Sequence, residues 1–359
     1  MAQKKKSLFG SFQFMGSVKT ADLVTFTREV SVLSSAGLPL IKALMSLRDQ
    51  MDEGRLRIVV SHVVDGVERG DSFSESLSRF PNVFSRLYVN MIKSGEISGN
   101  LDEVLQRLAT LLEKQQRLIK RVRAALIYPA FVLTMALVIL SLLMIFVVPT
   151  FTKMFDEMGS DLPVPTKILI NMSNMFVSYW YLIAAGVVLL CYGVMYVLKV
   201  PVCKYYFDKC VLKIPVLGKL LARVTISRLC RTLGTLFNSG VPILNALYVV
   251  KDATTNMVYA QAFPRIIDSV KEGESFALLL EQTNLFPNLV TKMVSVGEET
   301  GQLSDMLIKV ADTYEEDVDV LVSSLSSLME PLLIVIMGVI VGFIVVAMFL
   351  PLFNLTEML

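Results

Sequence analysis

The chain has 359 residues, 54% hydrophobic and 18% charged, with a formal net charge of +2. That is too apolar for a water-soluble protein and too charged for membrane helices alone, so composition favours membrane spans carrying sizeable soluble domains. A near-neutral balance without a concentrated basic surface excludes a nucleic-acid binder.

Residues 1–19 read as a basic flexible tail, with Lys4, Lys5 and Lys6. No apolar stretch there is long enough for a cleaved signal peptide. From Thr20, apolar residues recur at helical spacing (Leu23, Phe26, Val30, Leu33), and SAGLPL (35–40) reads as a helix–helix corner. Further helices are expected over 55–69, after Asp71 or Ser72, after Pro81, and from Leu101 onward, where Leu105, Leu108 and Leu112 share one face. Asn100 followed by Glu103 resembles a capping box. A first helical-bundle domain is therefore assigned to 20–123. No strand pattern emerges.

Residues 124–149 carry no charge and form the first expected transmembrane helix. Roughly 25 residues at about 1.5 Å each span about 37 Å, enough to cross a bilayer core with some tilt. Residues 150–178, with charges of both signs and with Pro163 and Pro165, read as a periplasmic loop. A second span follows over 179–198, opened by an aromatic belt (Tyr179, Trp180, Tyr181). A second helical domain is assigned to 199–327, a third span to 328–351 and a short periplasmic tail to 352–359. Basic residues precede the first span (Lys114, Arg117, Lys120, Arg121, Arg123) and follow the second (Lys199, Lys204, Lys209, Lys213), which puts both soluble domains in the cytoplasm. The expected fold is thus an all-α membrane protein with two duplicated cytoplasmic helical bundles and three transmembrane helices. Cys191, Cys203, Cys210 and Cys230 form no C-x-x-C pair and read as free thiols.

The duplication is explicit. SAGLPLIKAL (35–44) returns as NSGVPILNAL (238–247), ERGDSF (68–73) as KEGESF (271–276), and SGEISGNLDEVL (94–105) as VGEETGQLSDML (296–307). Two head-to-tail copies that each end in an outward helix need one return helix between them, which is what the middle span supplies. The two span mouths are punctuated alike, by Tyr128-Pro129 and by Glu330-Pro331, with further prolines at 149 and 351.

Three sets of residues are candidate functional positions. The first is the repeated turn, Gly95, Glu96 and Gly99 with Gly297, Glu298 and Gly301. Each glutamate is either a turn carboxylate meeting the free N–H groups of a helix start, a contact to a partner protein, or an oxygen ligand for a divalent cation. The second is the membrane-boundary pair of motifs, Tyr128-Pro129 and Glu330-Pro331. A proline there frees a carbonyl and bends the helix, and Glu330 is either a functional intramembrane carboxylate or an interfacial one reaching water. The third is Gly338 and Gly342, a G-x-x-x-G step that suits close helix packing.

The repeated G-E-x-[ST]-G-x-L turn (Gly95 to Leu101, Gly297 to Leu303) and the run Arg121, Val122, Ala125, Leu126, Tyr128, Pro129, Val147, Val148, Pro149 resemble the F family of inner-membrane platform proteins of type II secretion systems and type IV pili. The resemblance covers about residues 20 to 351. It implies duplicated six-helix cytoplasmic bundles joined to three spans in the bacterial inner membrane. It also implies partners: a cytoplasmic hexameric ATPase, a pilin or pseudopilin, other inner-membrane assembly proteins, membrane lipid and further copies of the chain. The implied role is to couple the ATPase to pilin extraction and fibre assembly.

No catalytic, cofactor or metal site is expected. GSVKT (16–20) lacks the glycine spacing of a phosphate loop. His62 is the single histidine and has no catalytic motif around it. No Cys/His cluster has zinc spacing. The competing reading is a small repeat-built transporter or channel. Transport repeats place polar or broken helices near the midplane, and these spans are nearly free of ionisable groups.

Overall fold

The computed structural model describes residues 18–157, 163–198 and 200–357, and all regular structure among them is helical. The chain divides into two compact units. One comprises residues up to Lys120 together with Leu217–Val318, and the other Arg121–Val216 together with Asp319–Leu359.

The first unit holds both copies of the repeat. The first copy is α1 (Thr20–Ser35), α2 (Leu40–Gln50), α3 (Arg55–Glu68), α4 (Phe73–Ser78), α5 (Arg86–Ser98) and the start of α6 (Leu101–Leu142). The corner between α1 and α2 closes with the Leu38 N–H on the Leu33 carbonyl (3.1 Å) and the Gly37 N–H on the Ser34 carbonyl (2.9 Å). That is the Schellman pattern, which satisfies the last carbonyls of α1. Phe26, Val30, Leu44, Val60, Phe73, Leu77, Phe84, Met91, Leu105 and Leu108 are buried and form its core. Each such side chain contributes about 1.5–3 kcal/mol over an exposed one. Phe26 and Tyr88 flank Phe84 with ring centroids 6.4 and 5.0 Å away, and the Tyr88 hydroxyl meets Thr27 Oγ1 at 3.2 Å. Burial pushes the Tyr88 phenol well above its ordinary range.

The chain's intervening helices are α7 (Val148–Glu157), α8 (Val164–Val197) and α9 (Pro201–Leu212), all in the second unit. The second copy is α10 (Leu217–Asn238), α11 (Ile243–Ala253), the single turn α12 (Met257–Ala260), α13 (Phe263–Lys271), α14 (Phe276–Gln282), α15 (Asn288–Thr300) and the start of α16 (Leu303–Glu357). Its corner repeats the first, with Val241 N–H on Leu236 and Gly240 N–H on Phe237, both at 3.0 Å. The second soluble copy was expected from residue 199; its compact unit begins at Leu217, and α9 buries none of its side chains. The two helical bundles, one per copy, close into one compact unit. The reason is polar as well as apolar: Ser94 Oγ donates to the Ser239 carbonyl (2.7 Å), Arg107 donates to the Asn238 carbonyl, and Lys114 Nζ pairs with Asp312 (2.9 Å).

The second unit corrects the expected 150–178 loop. Where described, that stretch is helical in α7 and α8. Pro163 stands at the N-cap of α8 and Pro165 in its first turn, where a missing N–H costs nothing and φ is already set for a helix. Thr166, Leu169 and Ser173 then fall on one face and are buried. They meet Met144, Val148, Ile344, Ala347 and Met348, with Thr166 donating to the Ala347 carbonyl and Ser173 to the Met144 carbonyl. Hydroxyls bonded to helix carbonyls leave no polar group unpaired in apolar surroundings. α8 breaks at Tyr179 (φ −120°, ψ 17°), and α16 continues through Pro331 and Pro351 to Glu357. α6 also runs through Pro129; its departure from α geometry is a π turn over Leu143–Val147, just ahead of Pro149. A proline ring needs room at the carbonyl four residues back, and a widened turn supplies it.

Among the described residues, two helical segments, within Leu101–Thr152 and over Leu333–Leu350, are long and apolar enough to cross a membrane. A third candidate is the pair Val188–Val197 and Pro201–Leu212, bent by 107° at its break. The N-terminal tail up to residue 17 lies outside the described residues.

Candidate functional site

The repeated turn is built by two glycines, a glutamate and a leucine at fixed spacing. Gly99 ends α5 in the left-handed region (φ +74°), and Gly301 ends α15 likewise (φ +70°). A residue with a Cβ is disfavoured there, whereas glycine lets the chain reverse at once into α6 or α16. Gly95 and Gly297 serve close approach. A Cβ on Gly95 would stand 3.0 Å from Val104 Cβ and 3.2 Å from Leu101 Cα, and one on Gly297 only 2.8 Å from Leu303 Cα. The leucine of the motif opens the next helix and packs over this glycine.

The glutamate reaches back across the fold. Glu96 Oε1 accepts from the Phe73 N–H (2.6 Å) and Oε2 from the Ser74 N–H (3.1 Å), at the start of α4. Ser72 Oγ accepts from Glu75 N–H in the same turn (3.2 Å). Three of the four orphan donors of a six-residue helix are thus satisfied. In the second copy Glu298 takes the Phe276 N–H (2.7 Å) and the Ala277 N–H (3.1 Å), and Ser275 Oγ donates to it as well (2.7 Å). A carboxylate at a helix N-terminus also meets the positive end of the dipole. Among the described residues, no three His, Cys, Asp or Glu side chains converge as a cation site would.

A second duplicated constellation escaped the sequence reading. In the first copy, Arg28 on α1 forms a fork with Glu113 on α6, both contacts at 2.5 Å. In the second, Arg231 on α10 donates to Glu315 (3.0 and 2.8 Å) and Asp312 (2.5 Å) on α16. Arg28 and Arg231 are equivalent positions of the repeat, as are Glu113 and Glu315, so the signal lay in the aligned copies. The hydrogen bond from Arg28 holds the Glu113 carboxyl below its ordinary range, against the opposing effect of burial. Burial also works against Asp312, but Arg231 and Lys114 hold its carboxyl below the usual value. Lys114 of the first copy therefore joins the charge cluster of the second.

The remaining candidates are not brought to these clusters. Tyr128, at the Pro129 step, is exposed in the second unit, as is Pro331; the side chain of Glu330 lies outside the described residues. Around Gly338 and Gly342, among the described residues, no atom beyond the helix's own adjacent backbone lies within 4 Å of where a Cβ would stand. Cys203 and Cys210 are free and exposed. Cys230 is free and buried, and its burial pushes the thiol up to about 12.

A duplicated helical domain whose copies lead into long apolar helices defines an all-α membrane protein. Comparison with known proteins gives the family: the description of type II secretion system (T2SS), protein F, matches residues 26–149 and again 229–351. The type IV pilus assembly protein PilC of Myxococcus xanthus is 37% identical over 98% of this chain and 85% of its own length. The type IV pilus assembly protein TapC of Aeromonas hydrophila is 36% identical over 100% and 86%, and the type II secretion system protein F of Vibrio cholerae 33% over 97% and 86%. The chain belongs to the type II secretion system protein F family.

Proposed function

We propose that this chain is an inner-membrane platform for building a type IV pilus or a secretion pseudopilus, coupling a cytoplasmic hexameric ATPase to extraction and polymerisation of a pilin. The observation that carries the reading is the near full-length similarity to proteins named for pilus assembly and for type II secretion. The architecture fits the role. A fibre-assembly platform needs a stiff body for a partner to push on, and both repeats are locked into one unit by ties between Ser94 and Ser239 and between Lys114 and Asp312. The helices shared between the two units, α6 and α16, are the elements through which a push on that body would act. The basic flanks of the first two spans support a cytoplasmic side for the first unit, the side on which ATP is available. The turn glutamates act in this scheme by holding α4 and α14, so they shape the body rather than touch the partner. Deleting the coding sequence tests the reading: pili or secreted substrates should vanish while unassembled pilin stays in the inner membrane, and restoring the chain should restore them. Undisturbed assembly in the deletion strain would overturn it.

A further inference from the structure

The two copies meet through unlike faces. In the first copy the α5–α6 face is used: Arg86 pairs with Asp252 on α11, Ser94 donates to the Ser239 carbonyl, and Arg107 donates to the Asn238 carbonyl. In the second copy the α10–α11 corner receives them. A contact between unlike faces leaves one of each unused. Among the described residues, the unused faces are the α15–α16 face of the second copy and the α1–α2 corner of the first.

Both are bare in the way an open interface should be. On α5, Leu87 and Met91 are buried; their equivalents on α15 are Leu289, 46% exposed, and Met293, half-buried. Ser94 becomes Val296, an apolar residue also 46% exposed. Leu289, Met293 and Val296 thus form an uncovered apolar stripe at i, i+4 and i+7. At the other corner, buried Thr235 and Ser239 correspond to Val32, 56% exposed, and Ala36, exposed. Charge has diverged on both surfaces. Asn90 of the first copy is Lys292 in the second, whereas Thr255 and Asn256 of the second are Asp52 and Glu53 in the first. The free corner has gained two negative charges; on the free face Lys292 is new, whereas Arg86 and Lys93 are replaced by Asn288 and Ser295, and Lys309 keeps a donor where Arg107 has one.

We propose that the α15–α16 face of one molecule docks on the α1–α2 corner of a second copy, reproducing between molecules the contact that α5–α6 makes with α10–α11 within one. The occupant is a second copy because the corner it needs is already present on the chain, closed by the same pair of backbone hydrogen bonds and with Ser35 exposed at the end of α1. The proposal goes beyond the platform reading and stands on the repeat comparison alone.

Equivalence with the Ser94–Ser239 contact places Val296 of one copy beside Ala36 of the next. Full-length chains with Cys191, Cys203, Cys210 and Cys230 replaced by alanine, in detergent, would carry either Val296→Cys or Ala36→Cys, each with its own tag. Mild oxidation of the mixture should give a disulfide joining the two tags at least tenfold above either variant alone. No mixed product, or a Val296→Cys homodimer in its place, would overturn the proposal. So would a photo-crosslinker at Val296 that marks only another assembly protein in cells. As a second readout, Leu289→Asp with Val296→Asp should weaken self-association at least tenfold while helical circular dichroism stays unchanged. An unaltered oligomer in that variant would also overturn it.

Discussion

The two copies of the repeat hold the same frame by the same devices but settle their polar interiors differently. In the first, Arg28 and Glu113 form a simple fork, each side chain about one-third exposed (35% and 34%). In the second, Arg231 is only 6% exposed and faces two carboxylates, with Lys114 arriving from the other copy. The first copy buries a Thr27–Tyr88 hydrogen bond, where the second has the Cys230 thiol and Val290. What both copies retain is what the fold requires: the capping glutamates, the close-packed glycines and the Arg–Glu pair. What differs tracks the neighbour each copy has.

Breaking the charge pairs should separate the copies most. Arg231→Met leaves Glu315 without its cation and Asp312 with Lys114 alone, and about 3 kcal/mol of stability should be lost. Arg28→Met, at a half-open site, should cost no more than about 1 kcal/mol. Thermal unfolding of the full chain in detergent checks the ranking; equal losses would contradict the contrast in burial. The caps come next. Glu96→Ala and Glu298→Ala each strip two backbone N–H groups of their acceptor and should cost about 2 kcal/mol. Glu298→Ala should cost slightly more, because Ser275 also loses its partner. Hydrogen exchange should show α4 or α14 opening selectively in the corresponding variant. Among the close-packed glycines, Gly297→Ala should destabilise more than Gly95→Ala. Its Cβ meets backbone at 2.8 Å, whereas the nearest atoms to Gly95 belong to the Val104 side chain at 3.0 Å.

The smallest expected effect is on the acid side of the stability profile. Glu113 has its carboxyl held down in the folded state. Such a group stabilises fully above its unfolded value, about pH 4.3, and loses that contribution as pH falls through the lower folded value. Arg28→Met should therefore shrink the loss of stability seen below about pH 4.3, and an unchanged acid limb would contradict the fork as a source of it.

The apolar segments and the duplication were legible because they are local or periodic: a charge-free run of adequate length, and strings such as GEISGNL and GEETGQL. The turn glycines were legible for the same reason. The target of the glutamate was not, because Glu96 caps a helix that starts 23 residues earlier, and nothing within the turn says which helix start a carboxylate will reach. Residues 163–173 were misread because prolines signal a break, yet at the first turn of a helix they signal a beginning. The union of the two copies was hidden too, since Ser94 and Ser239 lie 145 residues apart and the bond uses a backbone carbonyl.

The most direct measurement is isolation of the tagged full-length chain from its native membrane in mild detergent, with mass spectrometry of what accompanies it. A hexameric secretion-type ATPase and a pilin with an apolar N-terminal helix should be recovered with it. Recovery of the chain without either, together with substrate flux through the purified protein in liposomes, would contradict the platform role.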